Sequence, residues 1–227
     1  MLPIQVSCVP ALRAAILFLL RSFDILVLTE VQATFSQLLK VPALAKILEK
    51  YSFAAWNSSV CTNKQRQYSG TSIWCRLKPI SVSFGFRDNE EEDKLGRIVV
   101  VRYSDVTIVG LYCPSTTIGL HSLEQRAHFD RRLLDLLVKE RHVQKVLILG
   151  DFNVAPTSSD ISDYTPFGTG ACGDIQRETF KRILACTSTL DPGSKTNQLT
   201  WFPDQYRRHQ LTSFLFLNNG MFLTLKH

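Results

Sequence analysis

The chain has 227 residues, 45% of them hydrophobic and 20% charged, the balance of one globular domain over residues 1–227 and not of a disordered or low-complexity segment. Lysine and arginine number 26 against 20 aspartate and glutamate, and the formal net charge of +6 suits a polyanionic partner as well as an ordinary solvated surface. No uninterrupted apolar run reaches the ~18 residues a spanning helix needs, so no membrane association is expected.

In chain order, residues 12–21 read as a short helix. Its apolar stretch lies between Arg13 and Arg21 and runs on to Asp24 without a small-residue cleavage site, which favours a core helix over a secretory leader. Residues 25–28 form a buried strand closing on Glu30, and residues 35–49 carry helical spacing around a break at Pro42. Strands are expected at 71–76 and 80–86, the second running into an acidic loop at 88–93 that reads as a solvated hairpin tip. Two β-branched runs, 97–103 and 106–112, flank Ser104-Asp105 and predict an antiparallel hairpin.

Residues 122–141 place Leu123, Ala127, Leu134, Leu137 and Val138 on one helical stripe, widened by Phe129, Leu133 and Leu136. Arginines and aspartates fill the other positions, so this helix is expected to lay its apolar side on a sheet and its charges in water. An apolar strand at 146–149 stops at Gly150-Asp151-Phe152-Asn153. A helix at 175–184, a short strand at 199–202 and a hairpin turn at Asn219-Gly220 complete the pattern. The order predicts an α/β fold with largely antiparallel sheets and no dividing linker.

Six cysteines lie far apart without a C-x-x-C pair, and the histidines do not cluster. Reduced, mostly buried thiols in an intracellular protein are expected, not disulfides or zinc.

The chemistry gathers at strand ends. Glu30 closes DILVLTE and Asp151 closes VLILGD, each a carboxylate entering a loop that can face a shared cleft. Hard cations such as Mg²⁺ take one or two carboxylates and leave room for water and substrate phosphate. Asn153 adds an amide two residues beyond the acid. Alone, each acid is more often a cap or turn residue. Together with Tyr112-Cys113-Pro114-Ser115 at a third strand end, they outline a site.

These residues carry a resemblance to the exonuclease III / AP endonuclease branch of the endonuclease/exonuclease/phosphatase superfamily, over roughly residues 4–202. DILVLTE resembles the D-I-L-x-L-Q-E segment, YSGTSIWCRLKP the Y-S-G strand, LGRIVVVRYSDVTIVGLYCPS the G-R hairpin ending in Y-x-P-N, and VLILGDFNVAP the G-D-x-N segment. The Y-C-P spelling is similar to the eukaryotic second AP-endonuclease type. The resemblance implies a four-layer sandwich of two packed sheets flanked by helices, incomplete at the C-terminus. It implies Mg²⁺, with Mn²⁺ as a substitute, on Glu30 and Asp151. It further implies that Asp151 orients or activates water, Asn153 binds the scissile phosphate and Tyr112 contacts it.

The implied activity is hydrolysis of phosphodiesters at abasic sites or 3′ ends of double-stranded DNA, by a monomer inside the cell, in the nucleus if the source is eukaryotic. The same superfamily also holds retroelement-type endonucleases and phosphatases. Several positions depart from the pattern. An ungapped match puts Cys8 where the family has a metal-holding Asn, and a thiol is a soft ligand for Mg²⁺. Thr212 falls near the family's site Asp, and the residues leading to His227 do not spell the expected Ser-Asp-His segment, with His209 the nearest substitute. A second reading is therefore a family member without the reaction, which at most binds DNA or a partner.

Overall fold

A computed structural model describes residues 24–31, 49, 51–58, 70–86, 95–115, 119–154, 156 and 174–187. The described residues form strands β1 (Ile25–Thr29), β2 (Phe53–Ser58), β3 (Gly70–Cys75), β4 (Ser81–Phe84), β5 (Ile98–Arg102) and β6 (Val106–Tyr112). Helix α1 (Gly119–Arg141), strand β7 (Lys145–Asp151) and helix α2 (Asp174–Thr187) follow.

The strands divide into a three-stranded sheet of order β1-β3-β2 and a four-stranded sheet of order β4-β5-β6-β7. Every pair is antiparallel except β6 and β7, which run parallel because α1 carries the chain back between them. The β5–β6 hairpin predicted from its β-branched runs is present, with Val100 opposite Val109. Strand β2 was not foreseen. Its sequence, FAAWNS, combines two alanines with Asn and Ser, all weak strand formers, and it is held by its register on β3.

Alternation along the strands builds the core between the sheets. Val27, Ala55, Ile73 and Cys75 of the smaller sheet meet Val99, Val101, Ile108 and Leu149 of the larger. Gly110 sits in this seam, and a Cβ there would press on the side chains of Ile73 and Val27, so the glycine sets how closely the sheets approach. On the far face of the larger sheet, Ile98, Val100, Val109, Leu111 and Ile148 pack against Phe129, Leu133 and Leu137 of α1 and Phe180 and Ile183 of α2. Strands β5 and β7 thus bury side chains on both faces, which is why IVVV and VLIL read as continuous apolar runs.

Sheet, sheet and helix layer are three of the layers the sequence implied. The expected helix at 12–21, all but the last residue of the helix expected at 35–49, the acidic loop at 88–93, the strand at 199–202 and the turn at Asn219-Gly220 lie outside the described residues. The outer face of the smaller sheet is itself buried at Leu26 and Trp74, with Tyr51 edge-on to Trp74 at 6.0 Å between ring centroids.

One expectation about α1 needs correction. Leu123, Ala127 and Val138 are exposed, while Arg126, Asp130 and Glu140 are buried beside Phe129, Leu133, Leu136 and Leu137. Positions 126, 130, 133, 137 and 140 recur at intervals of three and four, so these charges share the apolar stripe and do not face water. Glu140 pairs with Arg102 of β5 and accepts a hydrogen bond from the Thr107 hydroxyl, closing the sandwich at the end away from Glu30. No described helix is long and apolar enough to cross a membrane.

Candidate active site

Four residues named from the sequence converge at one end of the sandwich. Glu30 stands just past β1 with φ of 54°, a left-handed backbone unusual for a side chain of its size. Tyr112 is the last residue of β6 and Asp151 the last of β7, and the parallel register sets them side by side. The Tyr112 hydroxyl donates to Glu30 Oε1 at 2.6 Å, bridging the two sheets. Tyr112 therefore contacts Glu30 through its side chain and neighbours Asp151 through its backbone register.

The turn after β7 shapes itself around Asp151, which is 5% exposed. Its Oδ1 accepts the Asn153 backbone N–H at 2.8 Å, an Asx-type turn that holds Asn153 at φ 48°. Asn153 Nδ2 in turn donates to the Cys113 carbonyl at 2.7 Å, and Cys113 N–H donates to the Asp151 carbonyl at 2.8 Å. These bonds tie the loops after β6 and β7 together. Gly150, at φ 136°, allows this, since a Cβ there would land on the Leu111 backbone oxygen.

Charge and burial set the state of Tyr112. Burial raises its pKa well above the usual phenol value, Glu30 raises it further by charge and hydrogen bond, Arg97 opposes, and Asp151 adds to the rise. Tyr112 is thus a neutral donor throughout the physiological range. The Arg97 guanidinium lies over the Tyr112 ring at 4.9 Å, and its Nη1 donates to the Tyr112 carbonyl at 3.1 Å. Burial pushes the Cys113 thiol up to about 12, so it is an inert part of the floor.

Sequence reasoning missed three participants. Arg97 was read only as part of a hairpin. Arg126 and Asp130 were assigned to a solvated face, yet Arg126 Nε donates to Asp130 Oδ1 at 2.8 Å in the core. Its Nη1 and Nη2 donate to the carbonyls of Pro114 and Phe152 at 2.7 Å and 2.8 Å. The signal was present in the spacing, because an arginine four residues before an aspartate on the Phe129–Leu133 stripe is a charge pair aimed at the core. Cys8, Thr212 and His209 lie outside the described residues, and Ser115 follows Pro114 in an exposed position.

The donors suit a hard cation by their chemistry. Glu30 and Asp151 offer carboxylate oxygens, and the buried Thr29 and Thr71 hydroxyls, paired across β1 and β3, have no hydrogen-bond partner among the described residues. No described group of three or more His, Cys, Asp or Glu is arranged for a metal. Two carboxylates with open positions is the way Mg²⁺ is commonly held, since it keeps waters and takes substrate oxygens.

Residues 8–217 match the Endonuclease/Exonuclease/phosphatase family. The chain is 28% identical over 130 residues to an exodeoxyribonuclease of Bacillus subtilis, covering 57% of this chain and 50% of that protein. It is 29% identical over 185 residues to the DNA repair nuclease APEX1 of Danio rerio, covering 80% of this chain and 55% of that protein. The chain thus spans about half the length of these curated relatives. Among solved structures, a 3′ phosphatase from Neisseria bound to a product DNA hairpin superposes with a TM-score of 0.61 at 23% identity, over 78% of this chain and 66% of that one. The likeness extends the agreement to the fold.

Proposed function

The chain belongs to the endonuclease/exonuclease/phosphatase family, and from that premise we propose that it is a DNA repair nuclease hydrolysing phosphodiesters of double-stranded DNA at abasic sites or 3′ ends. One observation carries the reading: Glu30, Tyr112 and Asp151, at strand ends of two different sheets, converge at one end of the sandwich. The relatives named for exodeoxyribonuclease and DNA repair nuclease activity support it, as does the net charge of +6, which favours a phosphate backbone.

Glu30 and Asp151 would hold Mg²⁺, which when bound supplies positive charge to phosphoryl oxygens. Asp151, fixed by the Asn153 amide, orients a water and receives its proton as the oxygen attacks phosphorus and the ester P–O bond opposite it breaks, the departing sugar oxygen taking a proton from solvent. Asn153 uses one Nδ2 hydrogen on the Cys113 carbonyl, and its second would serve a phosphate oxygen. Tyr112, held neutral, fixes the Glu30 carboxylate by its hydroxyl. Contacts of this kind read the backbone and leave base identity unread.

The test is Mg²⁺-dependent cleavage of a duplex carrying one abasic analogue, with protein first shown to be folded by circular dichroism. Asp151→Ala, run beside the wild type, should lower the rate by about 10²-fold or more, the usual contribution of a positioned base. Cleavage that survives this change removes the assignment of Asp151. Absence of cleavage, on abasic and 3′-end substrates alike, from a folded wild type removes the nuclease reading and leaves a family member that at most binds DNA or a partner.

A further inference from the structure

We infer that Arg126 is a positioning residue that sets the catalytic geometry by clamping the loop after β6 to the loop after β7. The inference rests on the nuclease reading of the cleft, but its physical content is independent of it. Arg126 projects from α1, far in sequence from both loops, and is 2% exposed. One plane of its guanidinium serves Asp130 through Nε and Phe152 through Nη2. Nη1 serves Pro114 at 2.7 Å and, more distantly, Asn153 at 3.4 Å. Three of these acceptors are backbone carbonyls within two residues after Cys113 or Asp151.

The placement is not what core packing alone would select. A buried ion pair is costly to desolvate, and apolar residues of similar volume on this stripe are often as stabilising. What an apolar pair lacks is the ability to hold two loops at a fixed separation. Arginine is suited to this because its rigid fork presents donors in several directions at once, whereas lysine offers a single point charge. Asp130 completes the device by fixing the Nε edge, so the remaining donors face the loops. The helix that carries both is anchored by Phe129, Leu133 and Leu137 in the core, which makes it a rigid reference for the cleft.

A merely structural arginine would change stability and nothing else, so the test separates the two. Full-length Arg126→Lys and the paired Arg126→Met/Asp130→Leu would be compared with the wild type in kcat, KM and amide hydrogen exchange. We expect kcat on the abasic duplex to fall about 100-fold with KM nearly unchanged, the loss typical of misplacing reacting groups by about 1 Å. Exchange at the Cys113 and Asn153 amides should rise about tenfold or more while the β5–β6 amides stay protected.

Unchanged exchange at those two amides in a folded variant overturns the inference, as does a kcat that does not fall in an active enzyme. If the wild type never cleaves but the two amides respond, the nuclease reading fails and the clamp stands. If the wild type cleaves and neither kcat nor exchange moves, the clamp fails and the nuclease reading stands. Failure of both variants to fold makes the pair a stability element and ends the inference.

Discussion

The Tyr112 hydroxyl reaches Glu30 across 2.6 Å, and that bond joins the end of β6 in one sheet to the end of β1 in the other. The two strands are in different sheets, so no backbone ladder fixes their relative height at this edge. The side-chain bond does so instead, while Asn57 Nδ2 donates to the Ile98 carbonyl at 3.0 Å and ties β2 to the start of β5. This end of the sandwich is therefore held by polar contacts between layers whose interior is apolar.

Replacing Tyr112 by Phe keeps the ring under Arg97 and removes only the hydroxyl. A hydrogen bond to a charged acceptor contributes about 1.5–3 kcal/mol, and urea unfolding of Tyr112→Phe should show a loss within or below that range. Glu30 loses its donor, so the Mg²⁺ concentration for half-maximal cleavage should shift, while Asp151-dependent chemistry persists. An unchanged Mg²⁺ profile would separate Tyr112 from the carboxylate it touches.

Gly150→Ala tests the turn that presents Asp151. The position requires φ of 136° and leaves no space for a Cβ beside the Leu111 oxygen. Backbone strain of about 1–3 kcal/mol joins the clash, so the melting temperature should fall and cleavage should drop more than stability alone explains. A variant as stable and active as the wild type would mean that the β6–β7 loop pairing is not as described.

Alkaline stability tests the buried phenols. Burial pushes Tyr51 up to about 12, with Arg76 opposing and Asp24 adding. In the unfolded chain the same group ionises near 10. Between these values the folded state holds more protons, so stability is complete below pH 10 and declines as pH rises towards 12. Urea midpoints measured across this window should show a decline that Tyr51→Phe makes shallower by roughly 2 kcal/mol. Equal slopes in the two proteins would show that Tyr51 is not shielded from solvent.

The legible parts of the fold were those with a strong local signal. The β5–β6 hairpin announced itself through two β-branched runs, and β7 through VLIL stopping at Gly150-Asp151. Strand β2 gave no such signal because its partner β3 supplies what its own residues lack. Strand-end position and motif resemblance together point to Glu30, Tyr112, Asp151 and Asn153 but not to their contacts. That Tyr112 addresses Glu30 depends on how two sheets stack, and no sequence period encodes it. Arg126 and Asp130 were hidden by the rule that charges mark the wet face of a helix, a rule that yields where a loop offers carbonyls to a buried donor.

Glu30 and Asn153 share a left-handed backbone at the entrances to their loops. Asparagine tolerates this conformation, whereas glutamate holds it against its own Cβ. A glycine at position 30 would relax the chain and discard the carboxylate in the same change. Selection for heat resistance alone would thus pull this position away from the chemistry proposed for it, and a hardened variant has to be screened for the proposed cleavage as well as for melting.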